Sequence, residues 1–300
     1  MSERREFKYW FDDECDNYRI HSLDLKDLPL FRARTSFQHI SIHDTQEFGR
    51  MLVLDGSPQS AVADEKIYHE SLMHPGGVLL RNPPEDILVL GGGEGATARE
   101  ALRYKSAKTV LTIDIDQEVV NAARKYLTAM RKGVDEDSRN KIVIGDARGF
   151  LLGVSYDYDD YDLIVSDISD PEGENAAARC YTPDFFGLVH KRLRPHGIFV
   201  MQSQEFSRVV WQGHKKHREL LKQFFKYVYS YRRFVPSFNY EQSFILATNA
   251  GIPNPNTLHP QIVDYVIKER ISGNLEEFSG DMFLHMFALS PDLKKKLEIS

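Results

Sequence analysis

The chain has 300 residues, 42% hydrophobic and 27% charged, enough apolar material for one large α/β core and a small satellite unit. Its net charge of −6 disfavours a nucleic-acid partner and permits a cationic substrate. Two cysteines without a C-x-x-C support neither a zinc knuckle nor a redox pair and fit a reduced, cytoplasmic setting; the charged stretch 1–13 lacks a signal-peptide core, and no apolar run approaches the ~20 residues of a membrane helix.

Residues 1–63 read as short strands of a small antiparallel β-hairpin domain: 37–43, 50–54, a turn at Asp55-Gly56, then 58–63. From 64 to 80 the pattern is helical, with Ile67, Leu72 and Met73 near one another at helical spacing. Asn82-Pro83-Pro84 is a loop. From Ile87 onward, strands alternate with helices as in βαβ units. The strands are 87–90, 110–115, 141–144, 162–166 and 198–202, and the helices 96–104, 118–130, 183–193 and 215–225. Segments 227–234 and 242–248 predict an antiparallel pair closing the sheet, and 260–271 a terminal helix. The fold expected is α/β, a class I methyltransferase-like (Rossmann-like) seven-stranded sheet over 64–300, with the hairpin domain over 1–63.

Gly91-Gly92-Gly93-Glu94-Gly95-Ala96 follows a strand and opens a helix. Such glycines allow a sharp turn and close approach of a ligand, and ligands of open parallel sheets sit at the carboxyl ends of the strands. Asp114, about 20 residues on at the end of the next strand, is placed to accept hydrogen bonds from two ribose hydroxyls. A tight turn without ligand is the plainer reading of the glycines alone; strand, helix and distal acid together outweigh it. The loop carries an acid, which suits a cationic tail better than a pyrophosphate, so S-adenosyl compounds outrank NAD. Gly145-Asp146-Ala147 follows the third strand; Asp146 reads either as a helix cap or as an acid beside an adenine amino group.

Asp167 and Asp170 lie three residues apart after the fourth strand, with Glu172 and Glu174 close by. A turn dipeptide at Asp170-Pro171 and a solvated loop are the structural alternatives. At this end of the sheet the pair can instead hold an ammonium by charge-assisted bonds. An alkyl ammonium has a pKa near 10 and is not nucleophilic, so a carboxylate must also take its proton. A sulfonium electrophile leaves as a neutral thioether, and neither an oxyanion hole nor a metal is required. No histidine has ligands at metal spacing: His39 and His43 alternate on a strand, and His214 and His217 share a helix. Trp10 and Trp211 read as packing or interface residues, and the basic run 215–218 as a solvated helix face.

These segments resemble the spermidine/spermine synthase family, the polyamine aminopropyltransferases. The ordered set comprises Phe37-Gln38, 52–56, Asp64-Glu65 with Tyr68-His69-Glu70, 91–95, Asp114-Ile115-Asp116, Gly145-Asp146 and 167–171. The resemblance implies that Gln38, Asp114, Asp146 and Ala147, with Gly91, Gly92, Gly93 and Gly95, contact the nucleoside of decarboxylated S-adenosylmethionine, a co-substrate rather than a bound cofactor. It implies that His69 and Glu94 line the junction of the aminopropyl tail and the amine, that Tyr68 and Asp170 hold the acceptor polyamine, and that Asp167 accepts the proton. It also implies a homodimer or homotetramer built through the N-terminal strands.

The chain departs from the family pattern at several points. The usual G-G-G-D-G-G loop reads G-G-G-E-G-A-T, the ribose acid is Asp114 in place of Glu, P-x-G-P reads Pro171-Glu172-Gly173-Glu174, and I-P-T-Y reads Val235-Pro236-Ser237-Phe238. The loop, the P-S-F segment and the run 278–289 are similar to the thermospermine synthase branch, which implies a triamine acceptor such as spermidine. Spermidine synthase and agmatine aminopropyltransferase are the near alternatives. An S-adenosylmethionine methyltransferase and a silent polyamine-binding homologue are the distant ones.

Overall fold

The computed structural model describes residues 9–16, 19–153, 160–171 and 176–299. The Glu172–Glu174 positions and the side chains of Trp10 and Cys15 lie outside the described residues. Six strands form the first sheet: β1 (Tyr9–Asp16), β2 (Arg19–Leu25), β3 (Phe31–Arg34), β4 (His39–Thr45), β5 (Gly49–Leu54) and β6 (Ser57–Ala61). They pair antiparallel in the order β1-β2-β4-β5-β6, with β3 also on β4. Helix α1 (Glu65–Leu79) then leads into β7 (Asp86–Gly91), α2 (Ala96–Leu102), β8 (Thr109–Asp114), α3 (Gln117–Tyr126), β9 (Asn140–Ile144), α4 (Ala147–Leu151) and β10 (Tyr161–Asp167). A 3-10 turn (Ala176–Cys180) precedes α5 (Pro183–Lys191), β11 (Leu193–Glu205), α6 (Gln212–Leu221), β12 (Tyr227–Val235), β13 (Tyr240–Thr248), α7 (Pro260–Arg270), α8 (Gly280–Phe287) and α9 (Pro291–Lys296).

The second sheet runs β12-β13-β11-β10-β7-β8-β9. Strands β11, β10, β7, β8 and β9 are parallel, and β13 lies antiparallel to both β11 and β12. This is the seven-stranded Rossmann-like sheet expected. The strand order reverses between β7 and β10, and a ligand crevice belongs at their carboxyl ends. Strand faces explain the layers. Ile87, Val89, Leu163, Val165, Ile198 and Val200 pack beneath α1 and α8, whereas Leu88, Leu90, Ile164, Phe199 and Met201 pack beneath α5. The first sheet closes on α3, where Ile40, Ile42 and Leu52 meet Val119, Ala122 and Ala123.

The structure corrects several local readings. Strands β1 to β3 had no counterpart in the sequence reading, and Phe37-Gln38 precede their strand instead of opening it. The C-terminal region adds α8 and α9 to the helix expected at 260–271; each starts on a serine that caps it, Ser279 and Ser290. The basic run 215–218 is not simply a solvated face. His217 and Arg218 are buried, because the Arg218 guanidinium donates to the Val228 carbonyl of β12.

Helix α1 is the buried spine of the molecule, and it carries charge inward. Glu70 is fully buried, and its carboxylate accepts the N–H groups of Glu276, Glu277 and Phe278 at 2.9–3.0 Å. Three charge-assisted bonds thus fasten the loop before α8 to α1. Glu70→Gln places an amide donor among those N–H groups and is expected to cost about 2–3 kcal/mol, read as a lowered urea midpoint with an unchanged slope. A midpoint within error of wild type contradicts this role.

Candidate active site

A cavity of about 560 Å³ opens at the carboxyl ends of β7, β8 and β10, between the two sheets. Its floor is the glycine loop. Gly91 has φ +81°, and a Cβ there would lie 2.4 Å from the Asp167 carbonyl oxygen, so the loop and β10 touch backbone to backbone. A Cβ on Gly93 would lie 2.6 Å from Asp114 Oδ2. That space is taken by a hydrogen bond: the Gly93 N–H donates to Asp114 Oδ2 at 2.8 Å, while the Asp116 N–H donates to Oδ1 at 2.8 Å. Burial outweighs these bonds and pushes the Asp114 carboxyl up to about 6.

The end of the cavity beside β8 and β9 gathers Gln38, Asp114, Asp146 and Ala147. Gln38 reaches it from the first sheet because its Nε2 donates to Asp116 Oδ2 at 3.0 Å, beside the Thr35 hydroxyl at 2.8 Å. Asp146 does cap a helix: its Oδ2 accepts the Gly149 N–H at 2.8 Å at the start of α4. The same residue stands on the cavity wall, so the two readings of Asp146 coexist.

The other end holds Tyr68, Glu94, Asp167 and Asp170. Tyr68 and Thr97 donate to the two oxygens of Asp167 at 2.7 and 2.5 Å. These bonds fix the carboxylate plane and leave lone pairs toward the cavity. Burial first, and then the neighbouring Glu94, push Asp167 up to about 6, against the pull of His69. Asp170 Oδ1 accepts from Gln202 Nε2 at 2.9 Å. Gln202 in turn accepts from Gln242 Nε2 at 3.0 Å and donates to the Tyr181 hydroxyl at 2.8 Å.

His69 and Gly95 do not reach the wall. Gly95 is the N-cap of α2 and lies against Arg131. His69 is buried behind Glu94. Its Nε2 is 3.0 Å from Glu94 Oε1, and its Nδ1 is 2.9 Å from Glu65 Oε2 and 2.7 Å from the Glu65 carbonyl. All three partners are acceptors, so both ring nitrogens carry protons. Burial alone would lower the His69 pKa; the bonds to Glu65 and Glu94 outweigh it and raise it to about 10. Glu65 bridges this imidazolium to Arg99, which grips it through two nitrogens at 2.9 Å each. His69, Glu94 and Asp167 also have their donor atoms within 4.8 Å of one another, as metal ligands would. In this arrangement His69 Nε2 is engaged by Glu94.

Glu65, Thr97, Tyr181, Gln202 and Gln242 carried no role in the sequence reading. Glu65 could have been found from its four-residue spacing to His69 on one helix face. The others are joined only by the fold.

Three comparisons bear on these features. The spermine/spermidine synthase domain matches residues 65–254, and the spermidine synthase tetramerisation domain matches residues 9–61. A polyamine aminopropyltransferase of Sulfolobus acidocaldarius is 36% identical over 90% of this chain and 87% of its own. One from Synechococcus is 35% identical over 99% and 95%. In the solved structures, a spermidine synthase with the transition-state analogue AdoDATO superposes with a TM-score of 0.86 at 24% identity, over 99% of this chain and 98% of the other. The Thermotoga maritima spermidine synthase gives 0.84 at 23%. At those identities the structures speak to the fold alone.

The folded-state pKa of His69 lies above its value in the unfolded chain. The stability that its proton contributes is therefore complete below about pH 6.5 and is lost as pH rises through about 10. The imidazole nitrogen resonances of His69 should remain those of the doubly protonated ring from pH 6 to 9. Glu65→Gln should bring its titration down by more than one unit. A wild-type ring that titrates near 6.5 contradicts the clamp.

Proposed function

The chain belongs to the spermine/spermidine synthase family, the polyamine aminopropyltransferases, and on that premise we propose that it moves the aminopropyl group of decarboxylated S-adenosylmethionine to spermidine, giving thermospermine or spermine and 5′-methylthioadenosine. The observation that carries this reading is the acid-lined reacting end of the cavity, where Glu94, Asp167 and Asp170 share one wall. Such a wall suits an electrophile and an acceptor that are both cations.

The nucleoside lies at the Gln38, Asp114, Asp146 and Ala147 end, with the ribose hydroxyls on Asp114. The aminopropyl ammonium faces Glu94, which His69 holds in place. The acceptor amine lies between Tyr68, Asp167 and Asp170. It arrives as an ammonium and gives one proton to Asp167. Its freed lone pair attacks the methylene next to sulfur; the C–N bond forms, the C–S bond breaks, and its electrons return to sulfur as a neutral thioether. The product nitrogen remains a secondary ammonium, so charge and protons balance. The reacting groups are held at one spot, and positioning supplies much of the rate.

Phe238 supports the triamine over putrescine. It lies on the cavity wall with its ring 5.9 Å from that of Tyr68, at an edge-on angle of 67°. This surface packs methylenes and offers no hydroxyl to an amine. The backbone before it is pinned, because Asp64 accepts from the Ser237 N–H at 2.7 Å and the Ser237 hydroxyl at 3.0 Å. The same reading assigns residues 1–63 to assembly of a homodimer or homotetramer and to the cavity rim, and residues 64–300 to catalysis. Its support is the tetramerisation-domain match and the Gln38–Asp116 bond.

Turnover on spermidine, norspermidine, agmatine and putrescine, with products identified by mass spectrometry, tests the acceptor; a strong putrescine preference sinks it. Asp167→Asn should lower kcat by about 10³-fold or more, within the range set by loss of a general base and its charge, while nucleoside affinity stays within about threefold. Because Asp167 must be ionised, kcat/KM should rise with pH through about 6 and level off above it. Wild-type-like activity in Asp167→Asn removes the residue from this role.

A further inference from the structure

Strand β11 is interrupted where it borders the cavity. Gln202 pairs with Phe244 of β13 and Glu205 pairs with Gln242, so Ser203 and Gln204 together stand opposite Ser243 alone. This is a bulge. Gln204 takes φ +64°, a left-handed backbone that a residue with a Cβ avoids unless its surroundings hold it. They do hold it. The Ser243 hydroxyl lies against the Gln204 carbonyl at 2.8 Å and the Ser203 carbonyl. The Gln204 N–H donates to Gln202 Oε1 at 3.1 Å. Gly213 of α6 leaves room for the Gln204 side chain; a Cβ there would lie 1.8 Å from Gln204 Oε1. Past the bulge, the Phe206 N–H returns to the ladder at the Glu241 carbonyl, 2.9 Å away.

The bulge decides which way Glu205 faces. Ile198 and Val200 point toward α1 and Phe199 and Met201 toward α5. Ser203 continues the second face and meets His217 of α6 at 2.9 Å. In an unbroken strand Glu205 would share that second face, because side chains alternate. Residues paired directly across an antiparallel ladder share a face. Opposite Gln242, Glu205 is turned to the side of Gln202 and Phe244, and it stands on the cavity wall.

Its distance from the reacting end is set by the sheet. Ser166 of β10 pairs with Met201, so Asp167 is level with Gln202. Glu205 lies one strand across and two β13 residues further along, about 8 Å away by strand spacings of roughly 4.8 and 3.4 Å. A four-carbon diamine spans about 6 Å between its nitrogens and an aminopropyl-butyl triamine about 11 Å, from single bonds of about 1.5 Å. With a hydrogen bond of about 2.8 Å at each end, the far ammonium of an acceptor whose reacting amine lies at Asp167 comes within reach of Glu205.

We propose that Glu205, turned onto the cavity wall by the Gln204 bulge, receives the distal ammonium of a triamine whose reacting amine lies at Asp167 and Asp170. This rests on the polyamine-acceptor reading above and adds to it an acceptor-binding residue that touches substrate at the end remote from the chemistry.

The test compares wild type and Glu205→Gln on spermidine and on N-butyl-1,3-diaminopropane, which is spermidine without its distal amino group. The wild-type enzyme should prefer spermidine. Glu205→Gln should lower kcat/KM for spermidine at least tenfold, mostly through KM, because the lost contact is made equally in ground and transition states. The same substitution should change kcat/KM for the butyl analogue less than twofold. Glu205→Asp, which keeps the charge, should recover part of the spermidine loss. Equal losses on the two acceptors, or no loss on spermidine, overturn the site while leaving the acceptor reading intact. A wild type that extends putrescine and ignores spermidine overturns both.

Discussion

Glu94 and Asp167 share the acid-lined end of the cavity, and two carboxylates so close repel each other when no ligand is present. The His69 imidazolium stands behind Glu94 and offsets part of that repulsion. It is itself held between Glu94 and Glu65, and Glu65 is held by Arg99. The ladder continues inward: Arg99 pairs with Glu100 at 2.9 Å, and Glu100 accepts from His74 at 3.0 Å and from Arg103 at 3.2 Å. Three of these pairs cross between elements: His69–Glu94 joins α1 to the glycine loop, and Glu65–Arg99 and His74–Glu100 join α1 to α2. Buried ion pairs contribute little net stability once desolvation is counted. Here their effect is geometric: they tie the helix that carries Tyr68 to the loop that carries Glu94, and so fix the two halves of the acid-lined end against each other.

The sheet supplies the other constraint. Strands β7 and β10 stay paired to their last residues at the switch point, where the Gly91 backbone touches the Asp167 backbone. The end lined by Gln38, Asp114 and Asp146 and the acid end belong to one continuous cavity. The first sheet completes it. Gln38 is drawn to the rim by Asp116, and the Arg50 guanidinium donates to the Tyr126 carbonyl at the end of α3. The two sheets are thus joined by polar contacts beside the cavity as well as by the apolar contact of β4 and β5 with α3.

Much of this was legible in the sequence. The strands β7, β8 and β10 are short aliphatic runs that end in Gly91, Asp114 and Asp167, and the cavity gathers these residues together with Asp146, two residues past β9. Strands β1 to β3 were not legible, since Tyr9–Asp16 and Arg19–Leu25 are rich in charge and lack a clean alternation. The burial of Arg218 was hidden because its partner is a backbone carbonyl. His69 was placed at the junction by resemblance, and only the fold shows that it stands behind Glu94. The Gln204 bulge leaves no local sign at all: no glycine marks it, and the glycine that permits it, Gly213, lies on another element.

The central claim is that the reacting end is built for positive charge throughout. Decarboxylated S-adenosylmethionine presents a sulfonium and an ammonium, whereas the intact compound adds a carboxylate that must face Glu94 and Asp167. Like charges a few ångströms apart in a partly buried site cost on the order of a few kcal/mol. Isothermal titration of the protein with the two compounds measures this directly. The decarboxylated form should bind at least tenfold more tightly; equal affinity, or preference for the intact form, would contradict the account and return the chain to the methyltransferases.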